Sequence, residues 1–411
     1  MVPIDPLHRP PGTILIGPTH RSASKPNIPK PRNLKLHSTL STNITTCHLQ
    51  SRHNMTSYIK DCFYSLSTCI SCFPSPQLRI NNRSFKIRKL LGEGGFAFVY
   101  LVETRGQELF ALKKIRCPFG PESVQTAMRE VDAYKTFDSP YIIKYVDSSV
   151  EQEADGSKSV YILLPYLKNG NLQDAINDHV MNGTHFSEEE LMALVVEICH
   201  AIKTLHQHRI GGDVSTTTTV PQSSYRLGDD EEQGLVAADE LNNSANATPL
   251  SELVPYAHRD IKPANIMLSD NGRPILMDLG SCSRARIDVS SRQKALELQD
   301  MAAEQCSMPY RAPELFDVKT GANIDERVDV WSLGCTIYTL MYFTSPFEHQ
   351  TNETGASLNL AIMNGHFTMP ASPEYSDQLK GLVKKCLIVD PQERPFIDDV
   401  LKAASEEYRE V

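Results

Sequence analysis

The sequence predicts an α+β fold in which an antiparallel sheet comes first and helices follow. β-branched and aromatic runs at Phe85 to Leu91, Phe96 to Val102 and Leu109 to Ile115 are separated by glycine-bearing turns, the pattern of three antiparallel strands. Farther on, Ser187 and Glu190 form a capping box. Behind it Leu191, Leu194, Val195, Ile198, Ile202 and Leu205 fall on one face at helical spacing, a long buried helix. From Asp325 to the end the periodicity is again mostly helical. With 411 residues the chain can hold two or three average domains, or one large two-lobed domain with tails.

Composition narrows the function classes. The chain is 40% hydrophobic and 22% charged, as globular proteins are, and no apolar run approaches the ~20 residues of a membrane-spanning helix. A formal net charge of -9 argues against a nucleic-acid partner. Ten cysteines in so long a chain make no disulfide framework, and the N-terminus lacks the charged-then-apolar layout of a secretory signal, so an intracellular protein with reduced thiols is expected.

The elements follow in order. Residues 1–54 carry eight prolines and seven Lys or Arg against one acid, Asp5, and are expected to be a disordered basic tail. Prolines this frequent interrupt the amphipathic helix of a transit peptide. Met55 is a second candidate start, and residues 55–84 hold Cys62, Cys69 and Cys72 in a moderately apolar stretch. A folded domain is expected over 85–408. Within it Glu130 lies in the helical stretch Val124 to Tyr134, and residues 211–254, rich in Ser, Thr, Asn and acid, form an inserted surface loop. Asn271-Gly272 between Asn265 to Leu268 and Pro274 to Met277 is a hairpin signal.

Three motifs carry chemistry. Gly92-Glu93-Gly94-Gly95-Phe96-Ala97-Phe98-Val99 lets backbone approach phosphate oxygens, or is simply a glycine-rich turn. Alternation in the third strand puts Ala111 and Lys113 on one face, so Lys113 points under that loop or stands as a solvated edge charge. Glu130 is its candidate partner, or a surface acid. The decisive segment is His258-Arg259-Asp260-Ile261-Lys262-Pro263-Ala264-Asn265, followed by Asp278-Leu279-Gly280 and later Ala312-Pro313-Glu314. Phosphoryl transfer needs an aligned nucleophile, Mg²⁺ and neutralised phosphate charge. Asp260 suits the hydroxyl proton, Lys262 the γ-phosphate, and Asn265 and Asp278 offer hard oxygens to Mg²⁺.

In this order the motifs from Phe85 to about Tyr408 resemble a eukaryotic protein kinase domain. The resemblance implies a bilobal fold with a β-rich N-lobe and helical C-lobe, ATP and Mg²⁺ as cofactors, and protein Ser/Thr hydroxyls as substrates. Lys262 two residues after Asp260 resembles serine/threonine kinases. Asp329 and Trp331 in DVWSLG match structural positions, as does Arg394, which the resemblance pairs with Glu314. GEGGFAFVYLVE, ILLPYL, YAHRDIKPANIML, PILMDLGS and LQDMAAEQCSMPYRAPELF are similar to the numb-associated kinase family, nearest its small acylated kinases of Golgi and vacuolar membranes. By that resemblance Leu91, Gly92, Gly94 and Gly95 cover the nucleotide and Val99, Ala111 and Leu268 sandwich adenine. Leu164 is then the gatekeeper, the Pro165 carbonyl and Leu167 amide contact adenine, and Phe316 to Arg327 includes an extra activation-segment helix.

Departures are Ala97 for a third loop glycine and Leu279 for the usual phenylalanine of the Asp278 triplet. Ser281, Ser283, Ser290, Ser291 and Ser307 are candidate phosphosites, Ser307 first as a partner of Asp260 and Lys262. Cys62, Cys69 and Cys72 are candidates for S-palmitoylation, against a half zinc site or unmodified thiols. Val2 excludes N-myristoylation at Met1. The expected function is an autophosphorylating serine/threonine kinase on the cytoplasmic face of Golgi or vacuolar membranes with a cytosolic pool. The alternatives are a membrane-tethered pseudokinase scaffold and a small-molecule kinase.

Overall fold

The computed structural model describes residues 77–94, 97–118, 120–210, 251–355 and 357–409; Cys62, Cys69, Cys72 and Gly95 lie outside them. The first part is a six-stranded antiparallel sheet, ordered β1-β2-β3-β4-β6-β5. Its strands are β1 (Gln77–Ile80), β2 (Arg83–Glu93), β3 (Ala97–Thr104), β4 (Leu109–Cys117), β5 (Asp147–Gln152) and β6 (Lys158–Pro165), with α1 (Pro121–Thr136) after β4. The sheet starts before the expected boundary at Phe85, because Leu78 and Ile80 alternate with Arg79 and carry the apolar pattern back to Gln77. At the β1–β2 turn the Asn81 amide donates to Asp147 Oδ1 (2.9 Å) and the Ser148 carbonyl (3.2 Å), so the first hairpin curls onto the last strand. Ile80, Phe85, Phe98, Tyr100, Val102, Leu112, Tyr161 and Leu163 fill that curl. The other face of β6, with Val160, Ile162 and Leu164, packs on Ala127, Val131 and Tyr134 of α1. Both faces of β6 are buried, which is why it reads as a continuous apolar run.

The second part begins with α2 (Leu172–Asn182) and α3 (Glu188–His206). The expected capping box is formed at α3: the Ser187 hydroxyl accepts from the Glu190 amide, and the Glu190 carboxylate accepts from the Ser187 amide. Of the expected stripe, Leu194 is only half-buried; the rest are fully covered. β7 (Arg209–Ile210) pairs with β8 (Glu252–Leu253), a two-rung neck that brings the ends of the inserted segment together. β9 (Tyr256–Ala257), the catalytic-loop residues and the hairpin β10 (Ile266–Leu268) and β11 (Pro274–Leu276) follow, with Gly272 at φ 79° in the expected turn.

After β12 (Ser283–Arg284) and β13 (Ile287–Asp288), the extra helix is α4 (Arg292–Gln305), capped by Ser291. This corrects the expectation for Phe316 to Arg327. That stretch holds only β14 (Asn323–Ile324), paired to β13, because Gly321 at φ 85° turns the chain, whereas RQKALELQDMAAEQ consists of good helix formers.

The core helix is α5 (Arg327–Tyr342), buried from Arg327 through Met341. Around it lie α6 (Pro346–Thr354), α7 (Leu358–Asn364), α8 (Asp377–Cys386) and α9 (Ile397–Glu407). A Cβ on Gly334 would stand 2.6 Å from Cys386 Cβ, so α5 and α8 approach closely only because Gly334 is bare. Two charges anchor this layer. Asp329, fully buried, accepts from the backbone amides of His258 (2.7 Å) and Arg259 (2.8 Å) and from His206 Nε2 (3.0 Å). Burial alone would raise its carboxyl, but the His206 bond and the amides outweigh that and hold it below the usual range. Arg394, 1% exposed, uses all five N–H groups: two on Glu314, at 2.7 and 3.0 Å, and three on the carbonyls of Ile388, Arg327 and Val389.

Arg394→Ala is expected to lower the unfolding free energy by about 3–5 kcal/mol, because it strands the Glu314 carboxylate and three carbonyls; chemical denaturation measures it. Asp329→Asn is expected to cost about 2–3 kcal/mol at neutral pH. A depressed carboxyl contributes stability above its ordinary pKa and loses it as pH falls through the folded value, so the gap to wild type should close below about pH 4. A gap independent of pH would contradict the depressed carboxyl.

Candidate active site

Register builds the nucleotide slot. Val99 opposes Lys113 and Leu101 opposes Ala111 across β3 and β4, while Ala111 opposes Leu164 across β4 and β6. Alternation then sends Val99, Ala111 and Lys113 to one face. With Leu91, Gly92, Leu164, Pro165 and Leu167 they line a cavity of about 440 Å³, closed from the other side by Ala264, Met267 and Met277. Leu268 does not line it. Ile266 turns into the core, so the next residue, Met267, faces the cavity and Leu268 turns back with Ile266; Met267 replaces Leu268 as the candidate adenine floor. Gly94 exchanges backbone bonds with Ala97, closing the glycine-rich turn. Tyr166, inside the ILLPYL run but given no role there, also lines the slot, as do Asn171 and Asp174, which carry no motif that would have marked them.

At the inner end Lys113 Nζ lies 2.7 Å from Glu130 Oε1 and 2.7 Å from Asp278 Oδ1. Burial works against the ammonium, but Glu130 and then Asp278 outweigh it and hold its pKa well above the ordinary value. Lys113 in turn holds the Asp278 carboxyl down. Asp278 adopts left-handed backbone at φ 61°, and its amide donates to the Tyr134 hydroxyl (3.1 Å). Tyr134 was not singled out from sequence; its place four residues after Glu130, on the same face of α1, is the signal that could have found it. A Cβ on Gly280 would stand 3.2 Å from Glu130 Oε2, so the glycine lets this segment lie against α1. Leu279 is fully buried in the core that includes Val131 and Tyr134.

The second cluster is centred on Asp260. Its Oδ2 accepts from Lys262 Nζ (2.7 Å) and Asn265 Nδ2 (2.9 Å), and its Oδ1 from the Ser307 amide (2.9 Å). Lys262 also donates to Ser307 Oγ (2.7 Å). A carboxylate has about four acceptor positions, so one remains for an incoming hydroxyl. Asn265 spends its other N–H on the Asp260 carbonyl (2.8 Å), leaving its amide oxygen as the donor atom for a cation. His258, buried, accepts at Nδ1 from the Asp260 amide and donates from Nε2 to the Met277 carbonyl (3.0 Å), tying the two clusters together.

Arg259 is buried, and its guanidinium is used on the activation segment: the Ser283 carbonyl (3.3 Å) and hydroxyl and the Arg284 carbonyl (2.7 Å). Of the candidate phosphosites, Ser281 is buried and donates to the His258 carbonyl, and Ser291 caps α4. Burial pushes the thiols of Cys282 and Cys306 to about 12, so neither is a nucleophile at neutral pH.

The geometry agrees with what known proteins show. The protein kinase domain model matches residues 85–211 and 255–404, and the gap between them falls in the inserted segment. The chain is 39% identical over 358 residues to serine/threonine-protein kinase ENV7 of Saccharomyces cerevisiae, spanning 84% of this chain and 98% of that one. It is 40% identical over 345 residues to serine/threonine-protein kinase ppk13 of Schizosaccharomyces pombe, spanning 83% and 96%. Serine/threonine-protein kinase 16 of Homo sapiens is 34% identical over 319 residues, spanning 77% and 88%. The residues matched by the domain model include Lys113, Glu130, Asp260, Lys262, Asn265 and Asp278, and the family implies use of ATP and Mg²⁺. The chain belongs to the protein kinase family and is a serine/threonine protein kinase.

Proposed function

We propose that Asp260 is the residue that receives the proton of a substrate serine or threonine hydroxyl as that oxygen attacks the γ-phosphorus of ATP. The new O–P bond forms while the bond from the γ-phosphorus to the β,γ-bridging oxygen breaks, and ADP leaves with that oxygen. The observation that carries this reading is that both clusters are assembled at once. Lys113 is already paired to Glu130 and Asp278, and Asp260 is already oriented by Lys262, Asn265 and Ser307. Preorganised charges of this kind lower the barrier without reorganising during the reaction.

Adenine fits the apolar end of the slot against Val99, Ala111 and Met267, with the Pro165 and Leu167 backbone at its edge. Lys113 and Lys262 face the phosphates. The donor set suits Mg²⁺: Asn265 has only its oxygen to offer, and Asp278 supplies a carboxylate held ionised by Lys113. When bound, Mg²⁺ neutralises charge on the phosphate oxygens. Ser307 acts as a positioning residue between Lys262 and Asp260.

Two finer readings belong to the same proposal. The kinase phosphorylates its own chain, for which exposed Ser283 and Ser290 of the activation segment offer hydroxyls. It is also held at the cytoplasmic face of a Golgi or vacuolar membrane by acyl chains on Cys62, Cys69 and Cys72. Two such chains suffice for stable anchoring at ~0.8 kcal/mol per buried CH₂.

Asp260→Asn is expected to lower kcat about 10²–10⁴-fold with little change in KM for ATP. Lys113→Met and Asp278→Ala should reduce ATP-dependent phosphate incorporation to background. Mass spectrometry of the full-length kinase should find phosphoserine or phosphothreonine on its own chain, absent in Asp278→Ala. ATP binding without phosphate transfer by the wild type would instead favour a scaffold. Replacing Cys62, Cys69 and Cys72 together with serine should move the protein from the membrane pellet to the supernatant; unchanged sedimentation counts against acyl anchoring.

A further inference from the structure

The first hairpin of the sheet carries a charge pattern that the kinase reaction does not use. Between Gln77 and Glu93 stand Arg79, Arg83, Lys86, Arg88 and Lys89 against one acid, Glu93, in a chain whose net charge is -9. All five cations are exposed. Register places three of them together: Arg79 opposes Ser84, two residues before Lys86 on β2, while Lys86 opposes Glu103 and Lys89 opposes Leu101, both on the same side of β3. The irregularity between Ile87 and Lys89 is what returns Lys89 to the side of Lys86. Their apolar neighbours Ile80, Phe85, Ile87 and Leu90 turn the opposite way, into the curl of the sheet. Glu103 on this face is paired with Arg88. Arg79, Arg83, Lys86 and Lys89 have no ion-pair partner among the described residues.

We propose that this face of the β1–β2 hairpin is a docking surface for anionic phospholipid headgroups. What favours a membrane is where the face sits along the chain. Cys72 is five residues before Gln77, so an acyl chain there would hold β1 within about 17 Å of the bilayer surface even with the linker fully extended. At such separations a positive face is drawn to an anionic leaflet, with the attraction falling off over about 8 Å at physiological ionic strength. The chain length argument rests on the acyl anchoring proposed above; the charge pattern does not.

The test uses the full-length kinase with Cys62, Cys69 and Cys72 all replaced by serine, so that no acyl chain contributes. Sedimentation is measured with vesicles of phosphatidylcholine alone and of an equal mixture of phosphatidylcholine and phosphatidylserine. We expect binding at least about tenfold stronger to the mixed vesicles, abolished by high salt. Arg79→Glu, Lys86→Glu and Lys89→Glu together should remove that preference while phosphorylation of a soluble peptide, which reports the fold, stays at the wild-type rate. Equal binding to both vesicles, or the same preference in the triple variant, overturns the proposal; an acidic protein surface is then the remaining occupant. Absence of acyl groups from the cysteines would defeat the anchor without affecting this measurement.

Discussion

The ammonium of Lys113, shared between Glu130 and Asp278, is the contact on which the rest of the site depends. It joins a strand, the helix that follows it and the segment after the β10–β11 hairpin, which lies 165 residues farther along the chain than Lys113. Charges this enclosed are tolerable only when each has its partner in place. The relative placement of the sheet and the helical part is therefore fixed to within a hydrogen bond at the point where phosphate must be met. Tyr134 and bare Gly280 serve the same junction, one by accepting the Asp278 amide and the other by leaving room for Glu130.

A second pair of buried charges does for the helical part what Lys113 does for the cleft. Asp329 reaches up from the core helix and takes the backbone amides of His258 and Arg259, so the loop carrying Asp260 is held from beneath by a carboxylate rather than by packing. Arg394 ties the Ala312-Pro313-Glu314 segment to the same helix through Glu314 and the Arg327 carbonyl. Arg259 is committed to Ser283 and Arg284, which ties the start of the activation segment to the loop that carries Asp260.

The basic hairpin belongs to the strand that runs on into Leu91 and Gly92 of the nucleotide slot, but none of its cations lines that slot, and its apolar side is sealed by the curl onto β5. A kinase with such a face can be oriented at a surface without any catalytic residue being involved. The orientation would be set by the same strand that begins the fold.

Much of this was legible in the residues themselves. The alternation that defined the strands, the Ser187–Glu190 box, the Asn271-Gly272 turn and the spacing of Asp260, Lys262, Asn265 and Asp278 are local patterns, and local patterns survive in a linear text. Three features were not. Met267 rather than Leu268 faces the slot because the core claims Ile266, which fixes the parity of that short strand. The extra helix lies before Ala312-Pro313-Glu314, where Ser291 caps a run of good helix formers, and not after it. Tyr134 and His206 make their contacts with partners 144 and 123 residues away, and for His206 no local pattern pointed to the partner. The sequence by itself determined which side chains could do phosphoryl transfer and the order in which they come. Which of them meet, at what distance and with which charges held ionised, only the tertiary structure decided, because burial and long-range pairing set those energies and neither is a property of neighbouring residues.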